Sequence, residues 1–408
     1  MAEAIRVLIL THNYPRYADD YAGIFIATLA KRLPQYGIQP IVLAPHDVGA
    51  SEYETMDGVT VYRFRYADNE KDQDIAYRGS MHNLVLGSIS GIFKFKRFLD
   101  SFRTTAFEVI EKEKIQVVAG NWLVPSGIVM KTIAAKSELP MILSSHGTDI
   151  RIMAKYMVVT KKFFGKFFVR LSRWTVVSSF LRDEILKIEP GLGKILEVLP
   201  LPHDEAMFYR DSAIKRDKNM ILAVTRFTDQ KRIEHLISAF AMVAERNDKA
   251  HLEIYGSGPL QEQTEAQISE FGIQNRVTIH EPVPQRELRE IYNRAGMVVL
   301  NSFQEGFGLA LTEGMLCGAP VIGTSSGGIT DIIKHNERGL LVELDNSSAL
   351  ADAIMQMLSD DALRNRLAEA GHKFALETYA SDPLATRFSE IIKKAAMPAK
   401  QKSAHQDA

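Results

Sequence analysis

One cysteine, Cys317, occurs in 408 residues, so no intramolecular disulfide can form and the fold must rest on its apolar core. Cys317 lies in the small apolar stretch Met315-Leu316-Cys317-Gly318-Ala319 and reads as a buried hydrophobe rather than a nucleophile. Its solitary reduced state fits a cytoplasmic location. Charge of one sign is also lacking. Basic and acidic residues balance to a net charge of −1, which excludes a molecule built as a whole to attract nucleic acid. No apolar run approaches the ~18 residues that a membrane-spanning helix needs. The N-terminal run Ile5–Leu10 is broken by Arg6 and leads straight into His12-Asn13; it reads as a buried first strand and not as a secretory core. The histidines show no metal-ligand spacing, so no metal site and no cofactor is expected.

What is present is an ordinary globular balance, 46% hydrophobic and 24% charged residues, in a chain too long for one ordinary core. Apolar strand-like runs at 6–10, 38–44, 117–119, 141–144, 174–177 and 195–198 alternate with helix-like segments such as 24–35. This alternation predicts parallel strands joined by crossover helices. It stops at Leu199-Pro200-Leu201-Pro202-His203-Asp204 and the polar stretch 211–219. It restarts with strands at 220–224, 251–255, 277–280, 297–300 and 320–323, separated by helical segments. Two α/β halves are therefore expected, 1–203 and 204–394, with the last helix free to pack back on the first half. The small polar residues 395–408 read as a disordered tail.

The most informative stretch is Asn301-Ser302-Phe303-Gln304-Glu305-Gly306-Phe307-Gly308-Leu309-Ala310-Leu311-Thr312-Glu313. It follows a strand and opens a helix. Gly306 and Gly308 let a ligand approach the backbone closely, and the amides at the start of the helix favour a diphosphate. Glu313 stands about one turn into that helix, where a carboxylate can accept from ribose hydroxyls, and Glu305 can reach another part of the same ligand. On spacing alone, a helix N-terminus with acidic charge and a glycine turn is an equally good description.

This segment, followed by Gly318-Ala319-Pro320-Val321-Ile322 and Gly327-Gly328, resembles the signature of glycosyltransferase family 4. The resemblance spans nearly the whole chain and is strongest from Met220 to Val342. It implies the GT-B architecture, two Rossmann-like domains of mainly parallel sheet facing across a cleft. It also implies a retaining, metal-independent enzyme that takes a UDP- or GDP-sugar donor and delivers the sugar to a carbohydrate or lipid-linked acceptor. Thr225-Arg226-Phe227-Thr228-Asp229-Gln230-Lys231 resembles the family's Gly-Arg-Leu-x-x-x-Lys-Gly, and implies that Arg226 and Lys231 neutralise the donor diphosphate as charge builds on it. Thr225 and Arg232 replace the usual glycines, which predicts a stiffer loop and an added cation. Phe307 and Leu309 complete the donor-binding set with Gly306, Gly308 and Glu313.

Tyr255-Gly256-Ser257-Gly258-Pro259 resembles the family's strand-end turn, with Gly256 at the ligand and Ser257 in place of an acid. The segment 277–283 resembles the one lining the nucleotide base, ending at Val283, with Glu281 where a glycine is usual. In the first half, Gly23 is expected beside donor phosphate and sugar. Ser145-His146-Gly147-Thr148-Asp149 resembles the family's His-Gly-x-Asp element. His146 is expected to bond the donor sugar or stabilise developing charge, while Asp149 either orients it or caps the next helix. His12 reads as a satisfied loop histidine.

Residues 151–182 carry basic side chains interleaved with Phe163, Phe164, Phe167 and Phe168, up to Arg182 and with no acid before it. Two readings stand: an amphipathic helix on an anionic membrane, which would make the protein peripheral on its inner face, or a helix whose aromatic side is core and whose cations are solvated. Phe93-Lys94-Phe95-Lys96-Arg97-Phe98 has the same character. Two rival functions share the fold: a sugar-nucleotide epimerase, which converts the donor without any acceptor, and a catalytically silent nucleotide-sugar-binding subunit, which binds without turnover.

Overall fold

Strand cores organise the first half of the chain. In the computed structural model, which describes residues 3–17, 20–77, 81 and 88–397, Ile5–Leu10 forms β1, Ile38–Pro45 β2, Tyr53–Met56 β3 and Val59–Phe64 β4. Val117–Asn121 forms β5, Met141–Ser145 β6, Arg173–Val176 β7 and Leu196–Val198 β8. The helices between them are α1 (Ile24–Ala30), α2 (Ile89–Lys112), α3 (Ile128–Ala134), α4 (Thr148–Lys155), α5 (Met157–Phe168) and α6 (Ser179–Ile188). The sheet order is β3-β4-β2-β1-β5-β6-β7-β8. Every neighbouring pair is parallel except β3 and β4.

That antiparallel edge is a hairpin that the strand-run reading omits. Its turn is Asp57-Gly58, both residues at positive φ (49° and 79°), as a two-residue hairpin connection requires. The dipeptide was the available signal. The helical segment expected over 24–35 is also shorter than predicted. It ends at Ala30, and Leu33–Tyr36 forms a separate 3-10 turn with Pro34 near its start, where the missing N–H costs nothing.

The second half repeats the plan. Asp217–Val224 forms β9, His251–Tyr255 β10, Val277–His280 β11, Ala295–Leu300 β12, Val321–Thr324 β13 and Leu340–Val342 β14. These make one six-stranded parallel sheet in the order β11-β10-β9-β12-β13-β14. Its helices are α7 (Ile233–Arg246), α8 (Gln261–Glu270), α9 (Gln285–Arg294), α10 (Leu309–Leu316), α11 (Ile329–Ile332), α12 (Ser347–Ser359) and α13 (Asp361–Tyr379). The helical segment after Gly327-Gly328 is the single turn α11. α14 (Ser381–Ala396) closes the described chain, and residues 398–408 of the expected tail lie outside the described residues.

Two units separate: Met1–Val177 with Leu181–Leu199 and Ser381–Ala408, and Ser178–Phe180 with Pro200–Ala380. α14 thus belongs to the first unit. Its Leu384, Phe388, Ile391 and Ile392 share a core with Val7 and Ile9 of β1 and Val117 of β5. The second core gathers Ile221, Leu252 and Val299 from the strands with Ile237, Phe240 and Ile354 from the helices. At about 25 cal/mol per Å2 of apolar surface removed from water, cores of this kind dominate the stability of each unit. Both sheets have the Rossmann-like, mainly parallel character that the alternation predicts.

Candidate active site

In an open parallel sheet, ligands bind beyond the carboxyl ends of the strands, where the strand order reverses. In the second unit that point falls between β9 and β12. From β9 the chain moves outward to β10 and β11, then returns to pair β12 on the other side of β9. The loops that leave these two strands are 225–232 and 301–308, which hold Arg226, Lys231, Glu305, Gly306, Phe307 and Gly308.

Hydrogen bonds to backbone carbonyls knit the two loops together. The Phe303 amide donates to the Gln230 carbonyl (2.8 Å), Gln230 Nε2 to the Gln304 carbonyl (3.3 Å), and Asn301 Nδ2 to the Arg232 carbonyl (2.8 Å). A third loop, after β13, joins through the Gly328 amide and the Glu305 carbonyl (2.7 Å). Across this frame the Lys231 ammonium meets the Glu305 carboxylate at 2.5 Å, both side chains largely buried. Arg226 is exposed, and no ion pair of its guanidinium is found among the described residues. Arg232 departs from expectation. It adopts the left-handed backbone (φ 45°, ψ 40°) that the usual glycine would occupy, at a cost of roughly 1 kcal/mol. Its guanidinium is engaged by Asp345 (3.1 Å) and lies over the Phe303 ring, so its charge is already matched.

Gly308 caps α10, and the first-turn amides of that helix follow directly. Leu309 is 40% exposed at its start, whereas Phe307 is buried edge-to-face against Tyr379. Glu313 is buried too. Its Oε2 accepts from the Tyr292 hydroxyl (2.8 Å) and its Oε1 from Gln285 Nε2 (3.3 Å). Burial outweighs both bonds and pushes its pKa up to about 7. Tyr292 and Gln285 were not legible as site residues. They stand seven positions apart on α9, hence on one face, but nothing local says which carboxylate that face meets. Gly256 follows β10 with φ 151°, and a Cβ there would lie 1.8 Å from the Thr225 carbonyl oxygen. Val283 is partly buried in the loop between β11 and α9. Cys317 is fully buried, with its thiol pushed up to about 12 by desolvation.

The first unit has its own reversal, between β1 and β5. Gly23 begins α1 with φ 64°, and a Cβ there would meet the Asn13 carbonyl oxygen at 2.1 Å, so this glycine is what lets the β1 loop lie on the helix. Around the same edge the rings of His12, Trp122 and His146 cluster. Trp122 lies 4.4 Å from His12 and 4.6 Å from His146, and Phe25 lies 4.9 Å from His146. His146 Nε2 is 3.0 Å from Asn121 Oδ1. Among the described residues the buried Nδ1 atoms of His12 and His146 find no hydrogen-bond partner, so His12 is not the satisfied loop histidine expected. Burial lowers the His12 pKa to about 4 and that of His146 to about 3, so both rings are neutral near pH 7. Trp122 sits at φ 63°, a conformation uncommon outside glycine.

Asp149 takes the capping role. Its buried carboxylate accepts from the amides of Leu123 (3.0 Å), Gly147 (3.2 Å) and His146 (3.3 Å). It locks the β5 and β6 loops rather than the imidazole ring. Among the described residues, no group of three or more His, Cys, Asp or Glu could hold a metal ion.

Comparison with known proteins bears on the family and the fold. Residues 205–374 match the sequence family described as "Glycosyl transferases group 1", and residues 22–194 match "Glycosyltransferase Family 4". An uncharacterized glycosyltransferase of Methanocaldococcus jannaschii is 26% identical over 95% of this chain and 98% of its own length. Sucrose-phosphate synthase from Thermosynechococcus elongatus has a similar fold, with a TM-score of 0.76 at 20% identity over 96% of this chain and 98% of that one. So does Anabaena HepE, solved in complex with UDP-glucose, with a TM-score of 0.70 at 15% identity over 95% and 99%. With its two Rossmann-like parallel sheets of the GT-B class and family matches over both halves, the chain belongs to glycosyltransferase family 4.

Proposed function

We propose that this protein transfers a sugar from a UDP- or GDP-sugar to an acceptor hydroxyl with retention of configuration and without a metal ion. The observation that carries the reading is the Lys231–Glu305 pair held beside the α10 N-terminus at the strand-order reversal. A diphosphate needs cations and amide donors that converge without reorganising, and this edge offers Lys231, the exposed Arg226 and the helix amides. As the sugar–phosphate bond breaks, negative charge grows on the leaving nucleotide. Lys231 and Arg226 stabilise that charge, and the proton of the attacking hydroxyl leaves with the diphosphate. Attack from the face of departure retains configuration.

Each oxygen of Glu313 keeps a lone pair beyond the one used by Tyr292 or Gln285, so ribose hydroxyls can still donate to it. Gly23, Gly256 and Val283 would line the donor, and His146 Nδ1 would meet a sugar hydroxyl. The likeness to a fold solved with UDP-glucose supports a nucleotide-sugar donor. A lipid-linked acceptor in glycolipid or polysaccharide synthesis, reached from the inner face of a membrane, completes the proposal.

Kinetics with UDP-, GDP- and ADP-sugars test it. Lys231→Ala is expected to lower kcat by about 100-fold, the cost of losing one preorganised charge at a leaving group. Glu313→Ala should raise the donor Kd about tenfold and leave kcat less affected. Wild-type kinetics in both variants would refute the site. Donor conversion without acceptor would replace the proposal with epimerisation.

A further inference from the structure

We infer that α5 of the first unit docks this protein on an anionic membrane surface through its outward face, independently of the donor site. The helix has two sides with different contents. Phe164, Phe167 and Phe168 face inward and are buried, and Phe168 packs on Trp174 of β7 at 5.0 Å. These three aromatics are core, so the interleaved phenylalanines of the sequence are not what meets a membrane.

The outward side is made of other residues. Val159, Lys162, Lys166 and Arg170 follow one another three or four positions apart, which stacks them on one face, and Phe163 flanks that row three positions before Lys166. Val158 and Val159 are 75% and 67% exposed, Phe163 is 45% exposed, and Val169, just past the helix, is 80% exposed. Side chains of this kind, standing in water on a helix whose other face is already packed, need a reason. The cations beside them supply the class of partner. Lys162 and Lys166 have no acidic partner among the described residues. Lys161 shares Glu189 (3.5 Å) and Arg170 shares Glu138 (3.0 Å). Lys131 of α3 adds an ammonium 3.4 Å from the centre of the Phe163 ring. No acidic residue lies on α5 itself.

Apolar tips between unneutralised cations match a lipid interface, where headgroup phosphates meet lysine and the boundary of the acyl chains accepts valine and phenylalanine. α3 touches both α5 and α2, and α2 carries exposed Ile92 and Phe93 near the cations Lys96 and Arg97. α3 therefore stands between the two helices that carry these exposed residues. A nucleic acid would satisfy the lysines but leave the valines in water, so the apolar half of the pattern favours the membrane.

The test is co-sedimentation of the full chain with vesicles of phosphatidylcholine alone and of phosphatidylcholine mixed with phosphatidylglycerol. Binding is expected to the mixed vesicles only, and to fall as salt shortens the Debye length from about 10 Å toward about 3 Å. Lys162→Glu with Lys166→Glu should weaken it at least about tenfold. Val158→Ser with Val159→Ser should weaken it severalfold while leaving less salt-sensitive loss. Melting curves and donor-induced thermal shifts identical to wild type would show that fold and donor site are intact in both variants. The inference is overturned if the wild-type chain binds neither vesicle, if it binds both equally, or if both double variants bind as the wild type does.

Discussion

Glu313 sits where a carboxylate is least at home, fully buried on α10 with only a phenol and an amide for company. Its pKa of about 7 in the folded chain lies above the 4.5 of an unperturbed glutamate. Between those values the folded chain holds a proton that the unfolded chain has released. By linkage, its contribution to stability is full below about 4.5 and declines as pH rises toward and past about 7. Glu313→Gln keeps an acceptor for Tyr292 and removes the titration. The variant should gain on the wild type between pH 5 and pH 8, by an amount on the order of 3 kcal/mol at most. Denaturant melts at both pH values measure this, and parallel pH profiles would contradict the burial assigned to the carboxyl. Neighbouring groups include Cys317, whose thiol lies above this range, and Arg216, whose guanidinium is lowered to about 10 by burial. Neither changes charge between pH 5 and 8, so the difference between the wild-type and variant profiles reports Glu313.

The residues of this site were unequally legible. Glu305 and Gly308 could be singled out because strand, turn and helix impose short fixed spacings on them, and Lys231 through the resemblance of its motif. Tyr292, Gln285 and Asn121 could not, because each acts through a contact made across elements. Arg232 shows the same limit from the other side. Its sequence position promised an extra cation, but its guanidinium is matched by Asp345, 113 positions away in a different loop.

At the scale of elements, the meeting of a loop and a helix start depends on single positions. Gly23 begins α1 in the left-handed conformation, and any Cβ would collide with the backbone of Asn13. Neither atom belongs to a flexible side chain, so the helix or the β1 loop must shift. Gly23→Ala is expected to destabilise the protein by at least about 2 kcal/mol and to lower its Tm. An unchanged Tm would mean that the loop yields freely. The amphipathic pattern of α5 was legible in period but not in direction. Both its aromatic and its basic positions recur at helical spacing, and the sheet beneath decides which of them it covers.

For the whole molecule, three buried histidines set the acid limit. His12, His146 and His203 have pKa values lowered by burial to about 4, about 3 and about 3 from an ordinary 6.5. Each is neutral in the fold and protonated in the unfolded chain below 6.5. Stability from these groups is therefore present above about 6.5 and lost as pH falls toward 4 and 3. With one cysteine and no disulfide to restrain the unfolded chain, the denaturation midpoint should fall steeply between pH 6.5 and 4, which urea melts across that range would register. A flat profile would mean that the rings are hydrated.

The sequence by itself determined the repeating order of strand and helix, the two parallel sheets and the glycine turn that opens α10. These follow from periodicity, turn chemistry and helix termini, all of which act within a few residues. Only the tertiary structure decided where in each sheet the strand order reverses, that Lys231 finds Glu305, that Asp149 bonds loop amides instead of the His146 ring, and which side of α5 meets water. Those outcomes depend on pairings between positions tens of residues apart. They are fixed by which apolar faces can be buried together, and no local spacing carries that information.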